Sequence, residues 1–283
     1  MALRIDGKAV AAKVKAKAAG EAAALKEKGI VPGLAVVIVG SDPASRIYVN
    51  NKKKACQETG IYSEEYALPE ETAQEELLAL VERLNKEPKI SGILVQSPLP
   101  EGLDESALVE AIDPQKDVDA FHPYNVGKLM QGRQIFLPCT PAGVIELLRS
   151  AGVEIAGKDC VVIGRSDIVG KPMAMLLMQN NGTVTVCHSR TRGLSDICRR
   201  ADILVSAVGK AGFVTGDMIK PGAAVIDVGM NRDGNGKLCG DVDYEACKDK
   251  ASVITPVPGG VGPMTRACLM ENTLECFLRK MEK

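Results

Sequence analysis

The sequence predicts an α/β protein: two α/β domains with parallel sheets, separated by a cleft. Three observations carry that reading. Continuous runs of Val, Ile and Leu recur along the 283 residues, as in GLAVVIVG (33–40) and CVVIG (160–164). Strands covered by helices on both faces read this way, because neither face meets water. Helical patterns alternate with these runs, which implies parallel strands joined by right-handed crossovers. The runs form two groups, roughly 1–120 and 140–255. Between them DPQKDVDAFHPYNVGKLMQGRQIFLPCTP is rich in Pro and Gly and weakly periodic, and reads as a connection between lobes.

The elements follow in order. The opening MALRIDGKAVAAKVKAKAAGEAAALKEKG lacks the apolar core of a secretion signal, and Glu21 and Glu27 argue against a targeting helix. GLAVVIVG is a buried strand bounded by glycines, and SRIYVNNKKKACQETG reads as the helix after it, ending at Gly60. AQEELLALVERLNKE (73–87) is an amphipathic helix leading into the strand of SGILVQSP (91–98). CVVIG, TVTVCH (183–188), DILVSAVG (202–209) and AAVIDVG (223–229) repeat the strand signature in the second half. ITPVPGGVGPMT (254–265) holds three prolines and three glycines, so it is a stiff, shaped loop. The last segment is a helix with Leu269, Thr273 and Cys276 on one stripe and Leu278 nearby.

Charge and composition exclude several classes. Thirty-five basic and 36 acidic residues leave a net charge of −1, so nothing attracts nucleic acid or an anionic membrane globally. No apolar run approaches the roughly 18 residues of a membrane span. The nine cysteines include no C-x-x-C and read as reduced, buried thiols, which suits a cytoplasmic protein. His122 and His188 are far apart and lack ligand company, so no metal is expected. Without tryptophan, base-stacking platforms are not expected.

DCVVIGRSDIVGKPMAMLLMQNNG reads as a strand, a tight loop with Gly164 and Gly170, and a helix with Pro172 in its first turn. Backbone donors at a helix start suit a pyrophosphate. The middle glycine of G-x-G-x-x-G is missing, and Arg165 and Ser166 follow Gly164. A site selecting NAD carries an acid at the end of the next strand. Here that strand ends in CHSRTRG, which offers Ser189, Arg190 and Arg192 and no carboxylate. Hydroxyl and guanidinium groups bind a 2′-phosphate, so if a dinucleotide binds here NADP is favoured over NAD. The alternative is a merely solvated arginine loop. Gly209 and Gly229, at two further strand ends, allow close approach of a ligand to backbone.

In the first half, Tyr48 and Lys52 share one helical face, and the following Lys53 and Lys54 point elsewhere. A lysine turned into an apolar cleft exchanges protons near neutral pH; the alternative is a solvated lysine run. Gln96, Ser97 and Pro98 end the strand GILV, and Asp117 and Asp119 follow the next helix. Ligands of open α/β sheets lie beyond such strand ends, although Gln96 could equally serve a local backbone group. Y-x-x-x-K also occurs in short-chain dehydrogenases, but there the pair follows the nucleotide loop, and here it precedes it by more than a hundred residues.

Taken together, SRIYVNNKKKACQETGI, GILVQSPLP, KDVDAFHPYNVGKL, PCTPAGVIELL, GRSDIVGKPMAMLL, GAAVIDVGMNR, GDVDYEAC and TPVPGGVGPMTRACLMENT closely resemble the bifunctional methylenetetrahydrofolate dehydrogenase/cyclohydrolase family over nearly the whole chain. The resemblance implies two reactions in one cleft: oxidation of 5,10-methylenetetrahydrofolate by NADP⁺, then hydrolysis of the methenyl product to 10-formyltetrahydrofolate. It implies a homodimer without a metal, acting in one-carbon metabolism that serves purine biosynthesis. Nucleotide residues map onto Gly164, Arg165, Ser166, Ser189 and Met230, and the charge reading adds Arg190. Folate residues map onto Tyr48, Lys52, Val95, Gln96, Ser97, Pro98 and Asp119, and onto Pro258, Gly259, Gly260 and Val261 of the late loop. Of these, Lys52, Tyr48, Gln96 and Asp119 are the expected catalytic group. The implied domains are 1–139, completed by the helix 264–283, for folate, and a Rossmann-like 140–263 for NADP. Ala120 stands where the family usually has Gly, and little consequence is expected. Rival readings are a shikimate- or malate-type dehydrogenase and a noncatalytic folate- or nucleotide-binding protein.

Overall fold

The computed structural model describes residues 2–281. In chain order the elements are β1 (Leu3–Arg4), α1 (Gly7–Lys26), β2 (Gly33–Val39), α2 (Pro43–Thr59), β3 (Tyr62–Leu68), α3 (Gln74–Lys86), β4 (Gly92–Val95), α4 (Glu105–Ala111), α5 (Pro123–Met130) and α6 (Cys139–Ser150). They continue as β5 (Asp159–Ile163), α7 (Gly170–Gln179), β6 (Thr183–Cys187), α8 (Leu194–Cys198), β7 (Ile203–Ser206), β8 (Ala224–Asp227), β9 (Asn231–Arg232), β10 (Leu238–Cys239), α9 (Tyr244–Cys247), β11 (Val253–Ile254) and α10 (Val261–Met281). The chain divides into two compact units. One comprises the described residues up to Ala11 with Pro138–Thr265, and the other Ala12–Leu137 with the chain from Arg266 onward.

The second of these units holds a parallel three-stranded sheet in the order β3-β2-β4. All seven residues of β2 are buried, as its unbroken apolar sequence requires. α3 buries Leu77, Leu80, Val81 and Leu84, the 3–4 spacing of one helical stripe. That stripe joins Val37, Ile93, Leu108 and Ile112 in one core, and each large side chain contributes about 1.5–3 kcal/mol by leaving water. α2 starts at Pro43 under a cap in which Asp42 accepts from the Ser45 N–H, and stops at Gly60 in the left-handed conformation. β4 also has a one-residue parallel bridge, Ile93 to Asp117, with the Ile93 N–H donating to Lys116 O at 2.7 Å. The Lys116 side chain is buried and donates to the carbonyls of Leu84 (2.8 Å) and Glu87 (3.0 Å), closing the C-terminus of α3. Burial pulls its ammonium down to about 8. From α10, Asn272 donates to the carbonyls of Val118 and Leu137, both at 2.8 Å. Leu269, Thr273 and Cys276 of that helix are buried as one stripe.

The other unit carries a six-stranded parallel sheet, β1-β11-β8-β7-β5-β6, and a small β9–β10 hairpin. Its core gathers Val161, Ile163, Leu204, Val225 and Ile254 with Cys187, Cys198 and Cys247. All nine cysteines are free thiols. Among the described residues no helix is long and apolar enough to cross a membrane.

The structure differs from the sequence expectation in four places. TVTVCH, expected to repeat the buried-strand signature, forms β6, an edge strand with only Cys187 buried, because no further strand covers its outer side among the described residues. Leu3–Arg4 pairs with Val253–Ile254, so the first residues lie with the second sheet and not within a 1–139 domain. A two-residue strand has no periodicity by which to be recognised. The expected connection carries α5, which begins at Pro123 after His122 accepts from the Tyr124 N–H, and the start of α6. β3, YSEEYAL, was not anticipated as a strand. It is an edge strand, partly exposed, and its central glutamates break the apolar signature.

Candidate active site

In the unit of the three-stranded sheet, Lys52 Nζ donates to Gln96 Oε1 at 2.9 Å. Gln96 lies one residue beyond β4 and is only 8% exposed. Its backbone N–H donates to Val37 O (2.8 Å), continuing the sheet register, and its Nε2 donates to Ser97 O at 2.5 Å. With the amide nitrogen engaged there, the amide oxygen must face the lysine. The neighbouring lysines diverge, as helical geometry demands. Lys53 pairs with Glu65 at 2.7 Å, Arg46 pairs with the same carboxylate, and Lys54 is exposed.

Tyr48, one turn before Lys52, is half-buried. Burial holds its phenol above the ordinary value, against the pull of Arg266. Asp119 is partly exposed at its surface, yet the surrounding protein pushes its carboxyl up to about 6; the charge of Lys52 opposes this rise and that of Asp117 adds to it. Asp117 is buried and accepts from the His122 N–H and from Asn125 Nδ2, both at 2.8 Å. A small cavity lies here, lined by Val95, Ser97, Asp117, Asp119 and Phe121 over Leu108. Ser97 donates to Glu105, and Ser97 and Pro98 are exposed across a cis peptide bond. Ala120 adopts φ 59°, a left-handed conformation unusual for a residue with a side chain. The arrangement sets an amine on an uncharged acceptor within electrostatic reach of a carboxyl raised to about 6, groups able to exchange protons.

In the unit of the six-stranded sheet, the turn after β5 has no room for side chains. Gly164 has φ 127°, and a Cβ there would stand 2.3 Å from Ala207 O; one on Gly170 would stand 2.4 Å from Gly164 O. Ser166 is exposed, and its Oγ accepts from the N–H groups of Val169 (3.2 Å) and Gly170 (3.3 Å), so the first donors at the start of α7 are already engaged. Arg165 is exposed. Beyond β6 the turn is set by His188 and Thr191: Thr191 Oγ1 accepts from the His188 N–H at 2.9 Å, and His188 Nδ1 accepts from the Arg190 N–H at 3.1 Å. That leaves Ser189, Arg190 and Arg192 exposed. Met230, 48% exposed, follows β8. The 258–261 loop belongs to this unit and not to the one holding Tyr48 and Lys52. There Pro258 is exposed, Val261 is buried, and Gly260 is packed so closely that a Cβ would meet Pro256 O at 2.6 Å.

Two residues escaped the sequence reading. Asp227 and Asp241 are buried carboxylates behind the ends of β7 and β8. Burial pushes Asp227 up to about 6, against the backbone N–H groups of Val242 and Asp241. The available signal was an aspartate inside the apolar run AAVIDVG and a second in GDVD. Among the described residues, no group of three or more His, Cys, Asp or Glu is placed to hold a metal ion.

Two family models match the chain: the tetrahydrofolate dehydrogenase/cyclohydrolase catalytic domain over residues 5–119, and the NAD(P)-binding domain of the same family over 138–281. The bifunctional protein FolD of Acetivibrio thermocellus is 64% identical, over 96% of this chain and 95% of that protein. The crystal structure of the bifunctional enzyme FolD, methylenetetrahydrofolate dehydrogenase/cyclohydrolase, from Campylobacter jejuni superposes with a TM-score of 0.97 at 48% identity, covering 99% of this chain and 100% of that one. The Trypanosoma brucei N5,N10-methylenetetrahydrofolate dehydrogenase-cyclohydrolase, complexed with NADP and an inhibitor, superposes with a TM-score of 0.95 at 44% identity, covering 100% and 99%. Full-length matches of this kind, on a parallel α/β fold with a glycine-built turn after β5, establish that the chain belongs to the tetrahydrofolate dehydrogenase/cyclohydrolase family and carries that family's NAD(P)-binding domain.

Proposed function

We propose that the chain oxidises 5,10-methylenetetrahydrofolate with NADP⁺ and hydrolyses the resulting 5,10-methenyltetrahydrofolate to 10-formyltetrahydrofolate, with Lys52 as the proton-transfer group. As a member of this family it is a bifunctional dehydrogenase and cyclohydrolase. The assignment of roles rests on one contact above all, Lys52 Nζ to Gln96 Oε1 at 2.9 Å.

The methenyl carbon is cationic, so the site must activate water without offering a competing nucleophile. Lys52 takes a proton as the water oxygen bonds to that carbon. It returns a proton to the ring nitrogen as the carbon–nitrogen bond breaks, and one proton leaves to solvent over the whole hydrolysis. Gln96 supports this by accepting a hydrogen bond without a negative charge, which would hold the proton on the amine. Tyr48 orders Lys52 and positions the reactive end of the folate. Asp119 accepts from the amide and amino donors of the pterin, aided by Val95, Ser97 and Pro98 at the strand end.

NADP, when bound, supplies the hydride acceptor, and the protein contributes alignment. The residues present fit it. Gly164 lets backbone approach a pyrophosphate, Arg165 and Ser166 flank that turn, and Met230 lies beyond β8. Ser189 and Arg190 with Arg192 are exposed where a 2′-phosphate would lie, with no carboxylate to repel it. In this reading Ala12–Leu137 with the C-terminal helix from Arg266 is the folate unit, and Pro138–Thr265 the nucleotide unit. The protein works in the cytoplasm as a homodimer. β6, an edge strand with no neighbour on its outer side among the described residues, offers a surface for assembly.

The test is to mix the protein with methylenetetrahydrofolate and NADP⁺ and follow NADPH and methenyl absorbance separately. NADPH is expected to form without lasting accumulation of the methenyl compound. Arg190→Ala is expected to lower the preference for NADP over NAD roughly tenfold, the loss of one charged hydrogen bond. A wild-type preference for NAD, by kcat/KM, would defeat the 2′-phosphate assignment.

A further inference from the structure

We infer that Asp241 is a positioning residue of the nucleotide site, fixing the two strand-end turns over which the nicotinamide half of the cofactor lies. The inference rests on the reading of this sheet as the NADP site. Asp241 is fully buried just after the β9–β10 hairpin. Its Oδ2 accepts from Ser206 Oγ (3.2 Å) and the Val208 N–H (2.7 Å), and its Oδ1 from the Lys210 N–H and Asn231 Nδ2, both at 2.9 Å. One side chain thereby ties the turn after β7 to the turn after β8.

The place of those turns gives the contact its meaning. Strand order reverses at β5, with β6 on one side and β7 then β8 on the other. Ligands of open α/β sheets lie beyond the strand ends at such a reversal. A dinucleotide whose ribose phosphate meets the turn after β6 therefore directs its other half over β7 and β8. The first of the tied turns begins at Ala207, whose carbonyl stands where a Cβ on Gly164 would be 2.3 Å away. A shift of the 207–210 turn is thus felt at the glycine turn after β5.

Asp241 is itself held from behind. Asp227 Oδ1 accepts from the N–H groups of Gly229 and Asp241, and Oδ2 from that of Val242, all at 2.9 Å. No side chain fits between the layers: a Cβ on Gly229 would stand 2.2 Å from Asp241 Oδ1, and one on Gly240 1.8 Å from Asp227 Oδ2. Four donors converge on Asp241, and only a carboxylate accepts on both of its oxygens. An amide in its place turns an NH₂ toward two of those donors.

The test is Asp241→Asn in the full chain, with dehydrogenase and cyclohydrolase measured separately, the latter on preformed methenyltetrahydrofolate. KM for NADP⁺ is expected to rise roughly 10- to 100-fold, while cyclohydrolase turnover stays within about twofold. A general loss of folded enzyme would lower both turnovers together and leave KM unchanged. Asn231→Ala removes one of the four donors from a partly exposed position, and is expected to raise the same KM severalfold. It carries the test if Asp241→Asn does not fold. An unchanged NADP⁺ KM in either folded variant overturns the inference. A wild-type enzyme with no saturable dependence on NADP⁺ would instead sink the reading of the site itself.

Discussion

In the proposed function the unit of the three-stranded sheet works through side chains, whereas the unit of the six-stranded sheet works through backbone. In the first, an amine on α2 meets an amide just past β4, a phenol lies one helical turn before that amine, and a carboxylate feels the amine's charge; the phenol and the carboxyl have displaced equilibria. In the second, the chain turns after β5, β7 and β8 are shaped by glycines, and the chemistry of the side chains is spent on holding those turns in place. The difference follows from what each ligand needs. A proton transfer requires a titratable atom at a defined point. A dinucleotide requires donors and close approach along its length. The comparison teaches that damage to the two units should be separable: side-chain truncation in one removes a reaction, and loosened turns in the other remove affinity.

The largest expected effect tests that separation directly. Lys52→Met keeps the length of the side chain and removes the amine. Cyclohydrolase turnover is expected to fall by roughly 10²- to 10⁴-fold, the usual contribution of a positioned proton-transfer group. NADP⁺ binding, measured by titration of the variant, is expected to stay within about twofold. Normal ring opening by the variant would remove the role given to Lys52. Equal losses of ring opening and nucleotide affinity would break the comparison itself.

The same contrast explains what could be read from the sequence. Tyr48, Lys52 and Gln96, the residues of the proposed site, stand out in the sequence because each is chemically out of place: a polar residue straight after the apolar run GILV, and a lysine on a tyrosine's helical face. The lysine triplet was resolved by helical geometry alone, and in the structure Lys53 turns to Glu65 while Lys52 turns to Gln96. The buried strands of both sheets were legible because strands covered on two faces have no polar period. The partly solvated edge strand β3 and the two-residue strands were not. β3 carries Glu64 and Glu65 on a partly solvated edge, and β1 and β11 are two residues each. Asp227 and Asp241 were missed for a different reason. Most of their partners are backbone N–H groups, several of them from turns far along the chain, and no sequence pattern records which carbonyl or amide lacks a neighbour.

A smaller effect concerns Asp119, whose carboxyl is raised to about 6 by burial, with Lys52 pulling it down and Asp117 pushing it up. A pterin donating N–H groups binds the ionised form. Protonation removes that acceptor, so binding should weaken as pH falls through 6 and hold steady above about 7. Below the pKa each unit of pH corresponds to about tenfold in affinity. The dissociation constant of a stable folate, measured by calorimetry across this range, gives the profile. Asp119→Asn should bind more weakly at neutral pH and lose the dependence. If the variant kept the wild-type slope, another group would be titrating, and the displaced equilibrium of Asp119 would have no part in folate binding.

The smallest effect is at Ala120, beside Asp119, and it sharpens the comparison because here the side-chain unit depends on a backbone turn. At φ 59° an alanine carries about 1–2 kcal/mol of left-handed strain. Glycine would relieve it. Against that, glycine loses about 0.4–1 kcal/mol more conformational freedom on folding. The alanine methyl is also buried, at 2% exposure, and its removal costs about 0.8 kcal/mol. The terms nearly cancel, so Ala120→Gly is expected to change stability by less than about 1 kcal/mol, a midpoint shift of no more than about 2–4 °C in thermal unfolding. Folate affinity should be unchanged, since Asp117, which holds the turn through His122 and Asn125, is untouched. Ala120→Val supplies the contrast: a β-branched side chain is strongly disfavoured at positive φ, so it should lower both the midpoint and the affinity. If valine were tolerated as well as glycine, the turn would be yielding, and the carboxylate beside it would not be held in place by the fold.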